Sequence, residues 1–424
     1  MNAQELSLAL YNLALLPVVF FSILFLILTI LNIFVDRPRK EKNLRVKNLK
    51  KHPFVTVQIP CFNDPVAVKC IEKCMKFDYP KNKYEIMFVD DSTDKKTQKL
   101  LKRFVTKNPG FIKYIHRKNR QGYKPGALQH AMPYVKGEII VIFDADFLPH
   151  KDFLKRIVLP FEDPRVGIVQ SRQGFYNKDV NLISRFAAYL LMVHHKMLMP
   201  IYNKANTVFF CGTAGAIRKK AIEEVGGWNT NSVTEDTDLS IRILSKGYRN
   251  VYLKFETPSE VPYTLEDFLK QQMRWCFGNL RAFIDNGKKI LYKKGLKFKQ
   301  RVSISYITLG NLISPAIILM TLAGLTGWFL GEPELFNFAD FFELVIKFSF
   351  TAGFLIITGT MFLKHKNIDE FPKLLLAAFS ISLVLAFGNT IAVFRAIFLK
   401  DKYLFGRKTS WVCTPKQGNA GIIK

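Results

Sequence analysis

Hydrophobic and polar positions divide the chain into blocks of different period. Residues 6–35 carry no charge, a run long enough to cross a hydrocarbon core with some tilt. A secretory leader would have a shorter apolar centre and a more basic start. From about Phe54 to Ser259 the pattern changes to short apolar runs, among them 55–59, 86–89 and 139–143. Each closes on polar or acidic residues, and longer amphipathic stretches separate them. This alternation predicts an α/β fold, with a mostly parallel sheet and helices on both faces. Ligands of such sheets sit beyond the carboxyl ends of the strands, where the acidic residues of this chain cluster.

Charge-free runs return at 302–331, 348–363 and 374–394. The first predicts a span bent at Pro315, and the second spans if Lys347 snorkels. Only Glu5 precedes the N-terminal run, whereas Arg37, Arg39, Lys40, Lys42, Arg45 and Lys47 follow it. The excess of basic residues on that flank predicts an outside N-terminus and a cytosolic α/β unit. Glu332, Glu334 and Asp340, with no Lys or Arg among them, suit an outside loop. A crossing by the last run would put Arg395, Lys400, Lys402, Arg407 and Lys408 outside, against the same rule. Gly388-Asn389 would also interrupt its helix, so 374–399 is expected to be interfacial or re-entrant. The domain expectation is therefore a membrane helix at 1–36, a catalytic unit at 52–260 and interfacial amphipathic helices at 261–300. Membrane and interfacial helices follow at 301–399, and a cytosolic tail at 400–424.

The formal net charge of +28 admits nucleic acid, a membrane surface or phosphorylated ligands as partners. Nucleic acid is disfavoured, because the basic residues are dispersed and no zinc-finger spacing or RNP-like aromatic string accompanies them. The six cysteines form no C-x-x-C pair. Cys70 and Cys74 share a helix face without a histidine cluster to complete a zinc site, and the thiols suit a reducing compartment. His194-His195, within an apolar stretch, reads as a core or surface pair.

Four short segments carry candidate chemistry. Val141-Ile142-Phe143-Asp144-Ala145-Asp146 puts two carboxylates just past a buried strand, where hard oxygens beside a diphosphate suit Mg²⁺ or Mn²⁺. Alone, a D-x-D also suits a solvated strand end. Asp90 and Asp91, within Phe88-Val89-Asp90-Asp91-Ser92-Thr93-Asp94, end another strand and could accept from a base or ribose, or simply cap the next helix. Thr234-Glu235-Asp236, followed by Asp238, offers a general base for an acceptor hydroxyl, or a capping cluster. In Gln271-Gln272-Met273-Arg274-Trp275 a helix would put Gln271 on one face with Arg274 and Trp275, to meet phosphate oxygens and a sugar's CH groups. An amphipathic helix with an interfacial Trp would read the same way. Each segment is common alone; the four in this order on an α/β scaffold are not.

In that combination the chain resembles the processive branch of glycosyltransferase family 2, which includes cellulose, mannan and hyaluronan synthases. The resemblance runs from Phe54 to Lys416. Gln121-Gly122-Tyr123-Lys124-Pro125-Gly126 is similar to the donor-binding K-x-G loop of that family. Phe209-Phe210-Cys211-Gly212-Thr213 is similar to its F-C-G-[ST] element, beside the terminal sugar of the growing chain. Trp411-Val412-Cys413-Thr414-Pro415-Lys416 is similar to its gating loop. The wording around Asp90 and Gly212 is similar to plant mannan and glucan synthase-like proteins and their prokaryotic relatives.

The resemblance implies a GT-A fold in the plasma membrane, with a UDP- or GDP-linked sugar as donor and a glycan or lipid as acceptor. By position it implies Asp90 or Asp91, Lys124, Gly126 and Asp144 at the donor. It also implies Asp144 and Asp146 at the metal, and Asp236 as base. Phe210, Cys211, Gly212, Thr213, Gln271, Arg274 and Trp275 would stand at the acceptor, and Thr414 and Lys416 in the gating loop. Many relatives carry further spans after that loop, and only eight residues follow Lys416 here. A complete channel would then need a partner subunit or an oligomer. Two other readings compete with a β-glycan synthase. One is a single transfer to a lipid of the ceramide or polyprenyl-phosphate type. The other is a non-catalytic membrane scaffold, whose usual sign, loss of an acidic motif, is absent.

Overall fold

A computed structural model of the chain describes residues 2–35, 51–292, 295–331 and 371–399. Its centre is a seven-stranded sheet in the order β3-β2-β1-β4-β6-β5-β7. The strands are β1 (Val55–Cys61), β2 (Tyr84–Asp90), β3 (Ile112–His116), β4 (Ile139–Ile142), β5 (Val166–Phe175), β6 (Gly215–Arg218) and β7 (Arg249–Ser259). All pairings are parallel except those of β6, which runs antiparallel to both β4 and β5. The apolar runs at 55–59, 86–89 and 139–143 are thus β1, β2 and β4, side by side at the centre. Each is buried on both faces, which explains why they read as continuous runs rather than alternating ones.

Helices cover both faces. On one side α2 (Ala67–Met75) and α3 (Lys95–Thr106) close a core that includes Val57, Ile59, Phe88, Val141 and Phe143. Cys70 and Cys74 are fully buried in α2 and belong to this core. On the other side α4 (Tyr123–Ala131), α8 (Lys219–Glu224) and α9 (Glu235–Ser245) pack over Met87, Val89, Ile140 and Ile142. Short α5 (Phe153–Ile157) adds to the first layer.

Helix α6 (Leu182–Val193) passes through one π turn, His194–Leu198, into α7 (Met199–Ala205). His195 is buried in that turn, its ring stacked 6.4 Å from Tyr252, with its backbone carbonyl accepting from the Tyr252 hydroxyl at 2.7 Å. Burial pushes both His194 and His195 below the ordinary imidazole value, which suits core histidines.

The apolar helices gather beside this unit. They are α1 (Ala3–Val35), α11 (Phe298–Leu309), α12 (Ile313–Phe329) and α13 (Phe371–Phe398). Among the described residues three segments are long and apolar enough to cross a membrane: Ala3–Leu28, Phe298–Phe329 and Ser380–Phe398. Helices α1 and α12 pack antiparallel through small residues. The Ser7 hydroxyl donates to the Ala323 carbonyl at 2.6 Å, Gly327 lies against Ser7, and Gly324 lies against the Tyr11 ring. Near the bend expected at Pro315, a 3₁₀ turn at Gly310–Leu312, ending three residues ahead of the proline, joins α11 to α12.

One expectation is corrected here. Gly388-Asn389 does not interrupt a helix, because α13 runs through both residues. Its backbone carries on because Gly388 lies against the Met273 side chain and the Asn389 carbonyl meets the Cys276 thiol at 3.6 Å. Both contacts come from α10 (Leu265–Tyr292), and Arg281 reaches the Ala396 carbonyl at 3.3 Å farther along. Helices α10 and α13 therefore lie side by side and run in the same direction. The run at 348–363, the loop with Glu332, Glu334 and Asp340, the basic stretch at 37–47 and the tail at 400–424 lie outside the described residues.

Candidate active site

The carboxyl ends of β1, β2 and β4 lead into a cleft that is open to solvent. Asp91, Lys124, Asp144, Asp146, Cys211, Gly212, Thr213, Asp236, Gln271, Arg274 and Trp275 all line it. Eleven of the residues singled out in the sequence, drawn from six separate segments, thus share one wall or another of a single cavity. Topology explains the convergence: parallel strands deliver their following loops to the same edge of the sheet.

Asp90 and Asp91 part company at the end of β2, as successive strand residues must. Asp90 turns toward β3 and is fully buried, accepting from the Ser92 amide at 2.9 Å and the Tyr114 hydroxyl at 2.7 Å, with His116 Nδ1 at 3.2 Å. It does not line the cleft. Asp91 does, gripped by both the Nε and a terminal nitrogen of Arg117. Arg117 also donates to the carbonyls of Gln121 and Tyr123, each at 3.0 Å. That links the Asp91 loop to a tight turn in which Gly122 and Tyr123 both have positive φ, 71° and 48°. A side-chain-bearing residue in that region is strained, and here the turn delivers Lys124 into the first turn of α4.

Lys124 is the hub of one wall of the cleft. Its Nζ lies 2.6 Å from Asp144 Oδ1, 3.0 Å from the Gly212 carbonyl and 3.6 Å from Glu235 Oε1. Burial alone would lower the ammonium's pKa, but Asp144, Glu235 and Asp236 outweigh it and hold the group above its ordinary value. Asp144 is fixed from behind by its amide donating to Thr213 Oγ1 at 2.9 Å. Gly212 has φ +79°, and a Cβ there would stand 3.0 Å from Asp236 Oδ2, so the turn admits no side chain beside the candidate base.

Glu235 and Asp236 form the first turn of α9, where helix N-terminal amides favour negative charge. Asp236 Oδ1 accepts from the Thr237 amide at 2.8 Å. Burial nevertheless raises Asp236, against the pull of Lys124. Burial also pushes Glu235 up, to about 7, with Lys124 opposing and Asp236 adding to the rise. Asp238 points elsewhere: it pairs with Arg242 at 2.7 Å and accepts from Asn286 at 3.0 Å, tying α9 to α10.

The opposite wall is α10. Its start is capped by Thr264, whose hydroxyl accepts from the Asp267 amide at 3.2 Å and donates to the Asp267 carboxylate at 2.6 Å. Gly278 of this helix lies so close to Thr234 that a Cβ would fall 2.3 Å from its methyl group. Gln271 Oε1 and Gln272 Nε2 are buried with no hydrogen-bond partner among the described residues.

Two further expectations fail on position. Phe210 is 2 % exposed, sits in the core under Gly215 and near Trp228, and does not line the cleft. Gly126 is buried within α4, with its Cα under the Gln121 carbonyl, and does not line the cleft. Thr414 and Lys416 lie outside the described residues. Conversely, Glu235, Glu260, Arg117 and Arg120 were not assigned roles from sequence. Arg120 lies over the Phe62 ring, 3.2 Å from its centroid, at the cleft's edge. Nothing in the local sequence marks Arg120 or Glu260; their positions arise from chain segments that meet only on folding.

The charge balance of the cleft bears on a metal. Asp64, Asp91, Asp144, Asp146, Glu235, Asp236 and Glu260 line it against Arg120, Lys124 and Arg274, an excess of four carboxylates (7 − 3) in a chain of net +28. Among the described residues no three His, Cys, Asp or Glu side chains are grouped to hold an ion alone. The hard carboxylate oxygens of Asp144 and Asp146 are of the kind that suits Mg²⁺ or Mn²⁺.

Comparison with known proteins agrees with this geometry. Residues 139–387 match the family described as Glycosyl transferase family group 2. Over 266 residues the chain is 36% identical to glucomannan 4-beta-mannosyltransferase 2 of Arabidopsis thaliana, covering 60% of this chain and 49% of that protein. It is 35% identical to probable glucomannan 4-beta-mannosyltransferase 4 of Oryza sativa subsp. japonica, covering 60% and 48%. The chain spans about half the length of these curated relatives. Among solved structures, mannosyltransferase PcManGT from Pyrobaculum calidifontis in complex with GDP-Man and Mn²⁺ superposes with a TM-score of 0.63. The superposition covers 94% of this chain and 100% of that one, at 18% identity, a likeness of fold. A GT-A sheet beside apolar helices, with a family match over more than half its length, makes this chain a member of the family 2 glycosyltransferases.

Proposed function

We propose that the chain is a membrane-bound, inverting glycosyltransferase that moves a hexosyl unit from a nucleotide sugar onto a growing β-glycan. The observation that carries this reading is the meeting of Lys124, Asp144, Asp146, Asp236, Gln271, Arg274 and Trp275 in one cleft. Asp91 and Lys124 hold the nucleotide and its phosphates. Asp236, buried and beside Gly212, takes the proton of an acceptor hydroxyl. The freed oxygen pair attacks the anomeric carbon as its bond to the diphosphate breaks, and the configuration inverts. Mg²⁺ or Mn²⁺ held by Asp144 and Asp146 would offset charge on the leaving diphosphate. Gln271, Arg274 and Trp275 face the acceptor, and Arg274 also adds positive charge near both carboxyls of the Glu235–Asp236 pair.

The first donor to test is GDP-mannose, because the relatives are named as mannosyltransferases and the solved neighbour holds GDP-Man with Mn²⁺. We also propose the unit at 52–260 as cytosolic, the chain as resident in the plasma membrane, and 371–399 as lying along the membrane surface with α10. The side-by-side packing of α13 on an amphipathic helix supports the last point. The test uses membranes expressing the chain with labelled GDP-mannose, UDP-glucose or UDP-N-acetylglucosamine, with and without Mn²⁺. Label entering a polymer from one donor, lost in Asp236→Asn and on chelation, is the expected result. A single labelled sugar on lipid would sink the polymer reading. No transfer and no donor hydrolysis would sink the enzyme reading.

A further inference from the structure

Glu260 follows β7, belongs to none of the motifs above, and lines the cleft while only 6% exposed. Its backbone is held as if on a rail. The Tyr176 amide donates to the Ser259 carbonyl at 3.1 Å, and Asn177 makes two bonds of 2.8 Å with the backbone of Val261. From this fixed segment the Glu260 amide donates to Asp146 Oδ2 at 3.0 Å. The Leu148 amide returns a bond to the Pro258 carbonyl at 2.9 Å, so the Asp146 loop is tied on both sides. The side chain closes the circuit. The Tyr176 hydroxyl donates to Glu260 Oε1 at 2.8 Å and stands 3.4 Å from the Asp146 carbonyl. Asp146 itself is 1% exposed, so its carboxylate is held by protein groups, the Glu260 amide among them, rather than by bulk water.

Resting on the reading of Asp144 and Asp146 as the metal-binding pair, we propose that Glu260 and Tyr176 are positioning residues for Asp146. They fix one of its oxygens and its backbone, and so turn the carboxylate toward the cation shared with the donor diphosphate. A ligand whose partners hold it in place binds tighter than one that must be ordered on binding, and loss of such partners weakens metal affinity by about 10- to 100-fold.

The test is Mn²⁺ binding, read by electron paramagnetic resonance on the full chain in detergent with GDP present. Tyr176→Phe, which removes one oxygen atom, and Glu260→Ala are each expected to raise the Mn²⁺ dissociation constant by about 10- to 100-fold. Glu260→Gln keeps an oxygen for Tyr176 and is expected to recover most of the affinity. GDP binding without metal and the melting temperature of Tyr176→Phe should stay near those of the unmodified chain. Unchanged Mn²⁺ affinity in both Tyr176→Phe and Glu260→Ala would overturn the proposal. Glu260→Gln as weak as Glu260→Ala would also overturn it, since charge rather than hydrogen bonding would then be at work. Failure of the unmodified chain to bind Mn²⁺ any better than Asp144→Asn would remove the metal reading itself, and the positioning role with it.

Discussion

The proposed donor wall and the proposed acceptor wall of the cleft are held in opposite ways. On the donor wall the polar groups are already engaged: Asp91 with Arg117, Lys124 with Asp144 and Gly212, Asp144 with Thr213, Asp146 with Glu260. These residues stand on strand ends and tight turns that the sheet fixes. The wall proposed to meet the acceptor is one helix, α10, and its cleft-lining Gln271 has a buried Oε1 with no hydrogen-bond partner among the described residues. A buried polar group left unpaired costs about 1–3 kcal/mol. The contrast teaches that, on the proposed reading, the donor side is preorganised for charge, whereas the acceptor side would keep a hydrogen-bonding group in reserve for a hydroxyl of the ligand.

The largest effect tests the seam between the walls. Asp236→Asn is expected to lower kcat by about 10²- to 10⁴-fold while leaving GDP affinity nearly intact, read by initial rates and nucleotide titration. Full activity in that variant would move the base elsewhere and dissolve the assignment of Asp236. Next comes pH. With Glu235 pushed to about 7 and Asp236 also raised, activity should fall as pH drops and this pair takes up protons, and Glu235→Gln should shift the acidic limb to lower pH. The same shifts act on stability with the opposite sense. Because burial raises these carboxyls, the folded protein keeps protons that the unfolded chain has lost. Their contribution is full below the ordinary carboxylate range and declines as pH rises to about 7. Thermal melts on either side of that window should show a smaller decline in Glu235→Gln.

A smaller effect separates the walls directly. Gln271→Ala should raise the acceptor KM on the order of 5-fold, the worth of about 1 kcal/mol, with the donor KM unchanged. An equal rise in donor KM would erase the distinction between the two sides. The smallest concerns the buried neighbour of the donor wall. Tyr114→Phe should cost about 1 kcal/mol of stability in denaturant titrations and leave donor binding alone, because Asp90 faces β3. Weakened donor binding in that variant would put Asp90 with the ligand after all.

The linear motifs were legible because strand ends and helix starts are local: an apolar run followed by acidic residues already says where a sheet delivers its side chains. The central strands were legible for the same reason. Three things were not. The alternation of side chains along β2 says that Asp90 and Asp91 point apart, but only the neighbours Tyr114 and Arg117 decide which one meets the cleft. The antiparallel β6 is four residues long, too short for a period to register. Glu260 acts on a residue 114 positions away, through a bond that only the fold creates. Phe210 shows the reverse error. It stands next to the cleft-lining Cys211, yet alternation turns it inward.

Gly278 gives the cleft a mechanical character. Because no methyl group fits between it and Thr234, the segment bearing the base and the helix bearing Gln271, Arg274 and Trp275 meet without slack. Two residues earlier, Cys276 touches the Asn389 carbonyl of α13. Base, acceptor helix and apolar helix are thus linked by side-to-side contacts rather than through a loop, and a shift of the apolar helix has a short, stiff path to the site of bond formation.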